Sequence, residues 1–178
     1  MRCDRYRLLT VCVAATPLLA AAVAGLPAMA ADSGVIGAFN NWSAHQFAGE
    51  AGRVCYLYSE PTKSAGEYSQ RGDTYVQVTH RVGEDTRNVV SVTAGYPYKK
   101  DSEVSLTIDA QKFSLFTDGD TAWAGDAAAD DALVTAMRAG ITMVVAGTSS
   151  RGTLTRDSYS LSGFTAAHKA IDKACPAK

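Results

Sequence analysis

The residue pattern that points most directly to recognition chemistry is the triplet Arg71-Gly72-Asp73, which lies directly before a run of β-forming residues. An exposed Arg-Gly-Asp loop presents a guanidinium and a carboxylate that an integrin-type receptor can bridge, so an adhesin is one hypothesis for this chain. In the alternative interpretation the triplet is an ordinary turn, in which Gly72 takes a positive φ and Asp73 bonds to nearby backbone. A triplet this short does not decide between the two.

A second candidate binding surface combines aromatic and basic side chains. Tyr96, Tyr98 and Lys99 follow one another closely, and Arg151 stands in a later polar loop. Aromatic residues and arginine are enriched at the energetic centres of protein interfaces. We therefore predict that these four residues, together with the triplet, contact a partner. Tyr56, Tyr58 and Tyr68 could belong to the same face; in the alternative interpretation the tyrosines are ordinary strand residues.

The best candidate for nucleophilic catalysis is the segment from Gly147 to Gly152, which contains Ser149 and Ser150. A hydrolase elbow of the form Gly-x-Ser-x-Gly would need glycine where Arg151 stands. A serine hydrolase that uses Ser149 or Ser150 with His80 remains as the enzymatic alternative. The sequence predicts no catalytic residue.

The remaining polar motifs do not predict a metal or cofactor site. His45, His80 and His168 have no partner at a recognisable spacing, so we expect surface or half-buried histidines. The motif that begins at Asp118 resembles a fragment of a calcium loop, but the twelfth position holds Ala129 instead of the required glutamate. We predict neither a metal nor a cofactor.

The elements that must position these residues are mostly strands. Apolar and polar residues alternate with period two, in short runs separated by Gly, Asp and Asn. The pattern predicts eight strands, at 42–47, 54–59, 74–81, 89–94, 104–108, 112–117, 141–148 and 153–160. It also predicts two helices, one at 127–139 with Asp126 as N-cap and one at 163–174 that ends before Pro176. The predicted fold class is mainly β, an antiparallel β-sandwich or barrel-like domain with two helices.

The first 30 residues have the pattern of an export signal. Three arginines precede an apolar run, and Ala28-Met29-Ala30 provides a small-x-small cleavage pattern. Residues 31–178 then form a single domain with no transmembrane segment after cleavage. This domain has a net charge of about −3, which argues against nucleic acid as a partner because phosphate binding needs excess Lys and Arg.

Cysteine content agrees with an exported protein. Of the four cysteines, only Cys55 and Cys175 lie beyond the predicted signal. An even pair in an oxidising compartment predicts a disulfide between them, and the absence of a Cys-x-x-Cys motif argues against a redox or metal site.

An ordered series of short segments resembles the invasion-associated locus B family of alphaproteobacterial exported proteins. The segments, in chain order, are Trp42, Cys55-Tyr56, Arg71-Gly72-Asp73-x-Tyr75, Val78-Thr79-His80-Arg81, Ala94-Gly95-Tyr96-x-Tyr98-Lys99, Phe116 to Trp123, Gly147 to Thr153 and Tyr159 to Phe164. The chain departs from the family at Val82 and Asp101, where Pro and Gly are common.

The resemblance implies an exported, compact, β-rich protein of the bacterial envelope and implies no catalytic residues. It is a family named for a member associated with host-cell invasion. The sequence therefore predicts a non-catalytic periplasmic or secreted protein that binds an unknown envelope or surface protein.

Overall fold

Alternation of buried and exposed residues is clear along most strands of the computed structural model, which describes residues 34–177. In the third strand, for example, Cys55 and Leu57 face the core while Tyr56 and Tyr58 face outward. The predicted export signal lies outside the described residues. Within residues 34–177, no helix is long and apolar enough to cross a membrane.

The described chain contains eleven strands and two helices. In chain order they are β1 (Gly34–Phe39), β2 (Trp42–Gly49), β3 (Gly52–Ser59), β4 (Lys63–Gly66), β5 (Tyr75–Arg81), β6 (Thr86–Thr93), β7 (Glu103–Ile108), β8 (Gln111–Asp118), β9 (Thr121–Trp123), α1 (Ala127–Ala139), β10 (Thr142–Thr148), β11 (Leu154–Ser160) and α2 (Phe164–Ala174). The mainly β prediction with two helices is confirmed.

All strands belong to one antiparallel sheet in the order β1-β2-β3-β5-β6-β9-β8-β7-β10-β11-β4. The sheet is not closed into a barrel. It curls so that strands distant in this order meet: the Trp42 indole on β2 donates to the Ser160 carbonyl of β11 at 3.0 Å. This curling encloses the hydrophobic core between the two halves of a single sheet.

The two helices cover different parts of the sheet. α1 packs on β6, and α2 packs on β1, β2 and β3. Asp126 caps α1 as predicted, because its carboxylate accepts a hydrogen bond from the Ala129 amide at 2.8 Å. In α2, the Phe164 ring meets Trp42 edge-on at 4.9 Å, which anchors the start of this helix in the core.

The predicted disulfide between Cys55 and Cys175 is present, and both cysteines are fully buried. It joins β3 to the residue that directly follows α2, across a sequence separation of 120. The bridge therefore ties the end of the chain to an early strand.

Two local expectations are wrong. His80 and His168 are neither surface nor half-buried residues, since only 0% and 2% of each is exposed. Gly72 does not adopt the positive φ expected of it; that conformation occurs at the neighbouring Gly95, with φ +70°.

Candidate functional site

An open cleft of about 780 Å³ lies on the surface of the described chain, bordered by three separate segments. The first segment, residues 67–72, connects β4 to β5; the second, 95–97, follows β6; and the third includes the hairpin 149–153 between β10 and β11. We call this cavity the cleft. Its lining combines residues that are remote in sequence, including the predicted binding residues Arg71, Gly72, Tyr96 and Arg151.

Close backbone approach holds the first two segments together. The Gly72 amide donates to the Gly95 carbonyl at 2.9 Å. A Cβ on Gly95 would lie only 2.3 Å from the Gly72 carbonyl oxygen, and the positive φ at Gly95 also favours glycine. A side chain at this position would therefore push the two segments apart.

The hairpin at the third side is fixed by backbone hydrogen bonds. The Ser150 amide donates to the Pro97 carbonyl at 2.8 Å, and the Lys99 amide donates to the Thr148 carbonyl at 2.9 Å. Within the turn, the Ser149 amide donates to Thr153 at 2.9 Å. This arrangement leaves Ser150 and Arg151 exposed at the tip.

Arg71 forms the floor of the cleft, because its side chain is only 6% exposed. Its guanidinium donates two hydrogen bonds to the Asp157 carboxylate, at 2.7 and 2.6 Å, and a third to the Ala94 carbonyl at 2.6 Å. Burial alone would lower the pKa of Arg71, but the hydrogen bonds and charge of Asp157 raise it above its usual value. The pair joins the segment that precedes β5 to β11, so Arg71 holds the cleft together.

Two tyrosines contact the same guanidinium. Its central carbon lies 5.0 Å from the ring centre of Tyr96 and 5.5 Å from that of Tyr68, which places it within cation–π range of both. The Tyr96 hydroxyl also hydrogen-bonds Thr155 at 2.5 Å. The cleft floor is thus a rigid arrangement of paired charge and aromatic rings.

The other predicted binding residues lie outside the cleft lining. Tyr98 is only 6% exposed and packs against Gly147 and the Tyr96 ring, behind the cleft. Lys99 is exposed next to the hairpin. Asp73 is also exposed, but it borders a different depression with Tyr58 and Tyr75.

This geometry does not support the adhesin alternative, because a receptor would need the Arg71 guanidinium that Asp157 already occupies. It does not support the hydrolase alternative either. His80 is buried next to α2, where its hydrogen-bond partners are Asn88 and Asp172, whereas Ser149 binds the Thr153 amide in the hairpin. Neither serine is among the partners of His80 in the described part of the chain.

His80 belongs to a polar cluster with the buried His168 and the partly exposed Asp172 and Arg87. The Asn88 amide donates to His80 Nδ1 at 3.0 Å, which leaves the ring proton on Nε2, 3.1 Å from Asp172 Oδ1. Arg87 donates to the same oxygen at 2.6 Å. On the other side, His168 Nδ1 lies 3.0 Å from Asp172 Oδ2.

This cluster places ligand atoms of His80, His168 and Asp172 within 4.8 Å of one another, as a metal site would. However, a protonated Nε2 cannot coordinate a metal, and the Arg87 guanidinium already compensates the carboxylate. Arg87 also donates to the Cys175 carbonyl at 2.7 Å. The cluster therefore serves to dock α2 and the disulfide onto β5 and β6.

Sequence reasoning missed two residues that build the cleft. Asp157 and Thr155 carry no motif, and Asp157 is 86 positions from Arg71 along the chain. The alternating pattern of β11 does place Thr155 and Asp157 on its buried face. A buried aspartate needs a partner, and that was the one available signal.

Fold and cleft together define a class of protein: a disulfide-closed, mainly β domain with a polar, open surface cleft. The family model for Invasion associated locus B (IalB) protein matches residues 42–172, and the chain belongs to this family. This is not a known enzyme family, its proteins are exported, and membership is consistent with a secreted or envelope protein linked to invasion. No curated protein and no solved structure matches the chain.

Proposed function

We propose that this chain is an exported, non-catalytic protein of the periplasm or cell surface that binds an envelope or surface protein through the cleft. The observation that carries the proposal is the convergence of three separate segments on one open cavity whose floor is fixed by the Arg71–Asp157 pair. Ready-made concave sites of this kind are the usual location of ligand binding. Family membership is consistent with this role in the envelope or in invasion.

The chemistry of the cleft favours binding over catalysis. Its free polar groups are mainly hydroxyls and amides, with Glu67 and Arg151 as charged groups on its border. Among the lining residues of the described chain there is no histidine or cysteine to pair with a serine. Mixed charge and hydroxyls suit the polar rim of a protein interface.

The test is site-specific photo-cross-linking in cells that produce the full chain. A photoreactive amino acid replaces Ser150, at the exposed hairpin tip, and in a matched control it replaces the exposed Lys112 on β8. We expect a reproducible protein adduct from position 150 and none from position 112, with mass spectrometry to identify it. An adduct at both positions, or at neither, overturns the proposal.

A second set of variants tests which cleft group makes the contact. Arg151→Glu reverses the exposed charge at the hairpin tip and should remove the adduct from position 150. Lys99→Ala is the control, because Lys99 is an exposed cation outside the cleft lining. Equal loss in both variants would indicate attraction by general positive charge and not by the cleft.

A further inference from the structure

A separate groove crosses the outer face of β2, β3 and β5. It consists of a depression of about 420 Å³ and an adjoining one of about 300 Å³, and His45 and Tyr56 line both. We call the combined 420 and 300 Å³ depressions the aromatic groove. Its residues are Gly34, Val35, His45, Gln46, Phe47, Tyr56, Tyr58, Asp73, Tyr75 and Gln77.

Aromatic rings form the walls of the aromatic groove in cross-strand contacts. His45 stacks on Tyr56 with ring centres 5.0 Å apart, and Phe47 meets the same tyrosine edge-on at 6.2 Å. Further along, Tyr58 and Tyr75 lie 5.2 Å apart. Side chains that face solvent on a sheet are usually polar, so this run of rings is unusual for a surface without a ligand.

Polar groups that accept hydrogen bonds border the rings. The Tyr58 hydroxyl donates to the Glu60 carboxylate at 2.8 Å, and burial together with this hydrogen bond raises the pKa of Tyr58 to about 12. Asp73 and Gln77 stand at the same end of the groove. A ligand here would meet flat apolar rings and carboxylate or amide acceptors together.

Charge excludes polyanions from the aromatic groove. In the described part of the chain, none of the residues that line it is lysine or arginine, whereas Asp73 is an exposed carboxylate. Nucleic acids, acidic lipids and sulfated glycans all need compensating cations. A ligand without negative charge therefore suits the groove, and its hydroxyl groups could donate to the Asp73 carboxylate.

A peptide fits this surface poorly. β2, β3 and β5 are each paired on both sides, so an added strand cannot hydrogen-bond to them. A peptide laid over the rings would therefore gain no strand-type hydrogen bonds from the sheet. A pyranose ring has an apolar C–H face that contacts aromatic rings and peripheral hydroxyls that donate to carboxylates.

We infer that the aromatic groove binds a linear, uncharged glycan, namely the glycan strands of the envelope in which an exported protein resides. This site is distinct from the cleft, and the inference does not depend on the proposed function. Tyrosine suits such contacts because it offers a large, rigid, amphipathic surface at a small cost in conformational entropy.

The direct test is calorimetric titration of the folded, oxidised protein with hexamers of N-acetylglucosamine and of glucose. We expect saturable binding of at least one hexamer, and Tyr56→Ala and Tyr75→Ala each to weaken it about tenfold or more, as for loss of a central aromatic contact. Tyr56→Phe and Tyr75→Phe keep the rings and should bind within about twofold of the parent. Circular dichroism confirms that each variant is folded.

Matched controls separate this site from the cleft and from other ligands. Tyr68→Ala removes a tyrosine of the cleft and should leave hexamer binding unchanged, while Tyr56→Ala should leave the position-150 cross-link unchanged. Co-sedimentation with purified peptidoglycan tests whether the ligand is the glycan strand of the envelope. Heparin and desialylated host-type glycans are added as competitors. The inference is overturned if neither hexamer binds, or if Tyr68→Ala weakens hexamer binding as much as Tyr56→Ala does. It is also overturned if the protein prefers heparin to peptidoglycan, or if it binds only host-type glycans.

Discussion

Burial of an arginine is tolerated only when its charge is paired, and Arg71 meets that condition through two hydrogen bonds to Asp157. Both side chains are more than nine-tenths buried, at 6% and 4% exposed. The same guanidinium contacts two aromatic rings and a backbone carbonyl. Removal of its partner would leave a buried cation at the centre of the cleft.

We therefore predict that Asp157→Asn lowers the free energy of unfolding by about 3 to 5 kcal/mol, the usual cost of breaking a buried ion pair from one side. The control is Arg156→Gln, because Arg156 is exposed on the same strand and should cost less than about 0.5 kcal/mol. Urea denaturation measures both. A loss in Asp157→Asn no larger than in the control would mean that the pair does not support the fold.

The buried histidines make stability depend on pH. Burial lowers the pKa of His80 and of His168 below the usual 6.5; the Arg87 charge adds to this at His80, and Asp172 opposes it at both. Unfolded histidines take up protons at a higher pH than the folded ones do. The unfolded state therefore gains protons first, and stability falls as the pH drops below about 6.5.

Asp172 extends this loss further into acid. Burial would raise the pKa of its carboxyl, but the neighbouring histidines and Arg87 bring it below its usual value of 3.8. The stability it contributes is present above that value and is lost as pH falls through its lower folded pKa.

We predict that the urea midpoint falls between about pH 7.5 and about pH 5.5, and that His168→Gln reduces this fall. His45→Gln, on the outer face of the sheet, should keep the fall of the parent. A midpoint that is constant over this range, or that rises toward acid, contradicts the prediction.

At the scale of elements, no backbone–backbone hydrogen bond joins α2 to a strand of the described chain, so α2 depends on side-chain contacts for its position. The disulfide, the Trp42–Phe164 contact and the His80–Asp172 cluster all attach it to the sheet. Cys175 directly follows the helix. The bridge consequently fixes the end of a helix that is otherwise held by side-chain packing and side-chain hydrogen bonds.

Cys55→Ser should therefore lower the free energy of unfolding by about 4 to 5 kcal/mol, the chain-entropy value for a loop of this length. Reduction of the parent protein should give a similar loss. Thermal and urea melts without reductant measure this loss. As a control, the folded fraction of Cys55→Ser should still form the position-150 cross-link, because the cleft does not contain the disulfide. A melting temperature equal to that of the parent would contradict a stabilising bridge.

Most strands and both helices were predictable from sequence, whereas β1, β4 and β9 were not predicted. The predicted strand at 54–59 lies within β3, and the helix at 127–139 coincides with α1, because alternation and capping residues are local signals. β4 was missed because all four of its residues are exposed and resemble a loop. β9 has only three residues, too few to show a period.

The sequence identified several residues of the candidate site, but it could not show that they lie together. Tyr96 and Arg151 were identified by their side-chain chemistry, yet their convergence depends on how the segments next to β5 and β6 reach β11 across the curled sheet. Such long-range pairing leaves no signal in a local window. The outer tyrosines of β3 were interpreted as strand residues or as a binding face, and the structure puts them in the aromatic groove.

At the scale of the whole molecule, one continuous sheet encloses the core and leaves two distinct surface features. The cleft lies where β11 approaches the segments next to β5 and β6, whereas the aromatic groove lies on the outer face of β2, β3 and β5. Because different residues build them, changes in one should not alter the other beyond a few tenths of a kcal/mol. The proposed glycan and the proposed partner would therefore occupy separate surfaces.

Export and cysteine content give a final prediction for the whole molecule. Cleavage after Ala30 would remove Cys3 and Cys12 and leave only the bonded Cys55 and Cys175, in an oxidising compartment where that bond persists. Protein purified from the cell envelope or medium should begin at Ala31 and take up no alkylating reagent when denatured without reductant. Cys175→Ser should expose one reactive thiol as a positive control. Because an uncleaved chain would retain two further cysteines, an N-terminus at Met1 together with labelled thiols would show that the segment stays attached.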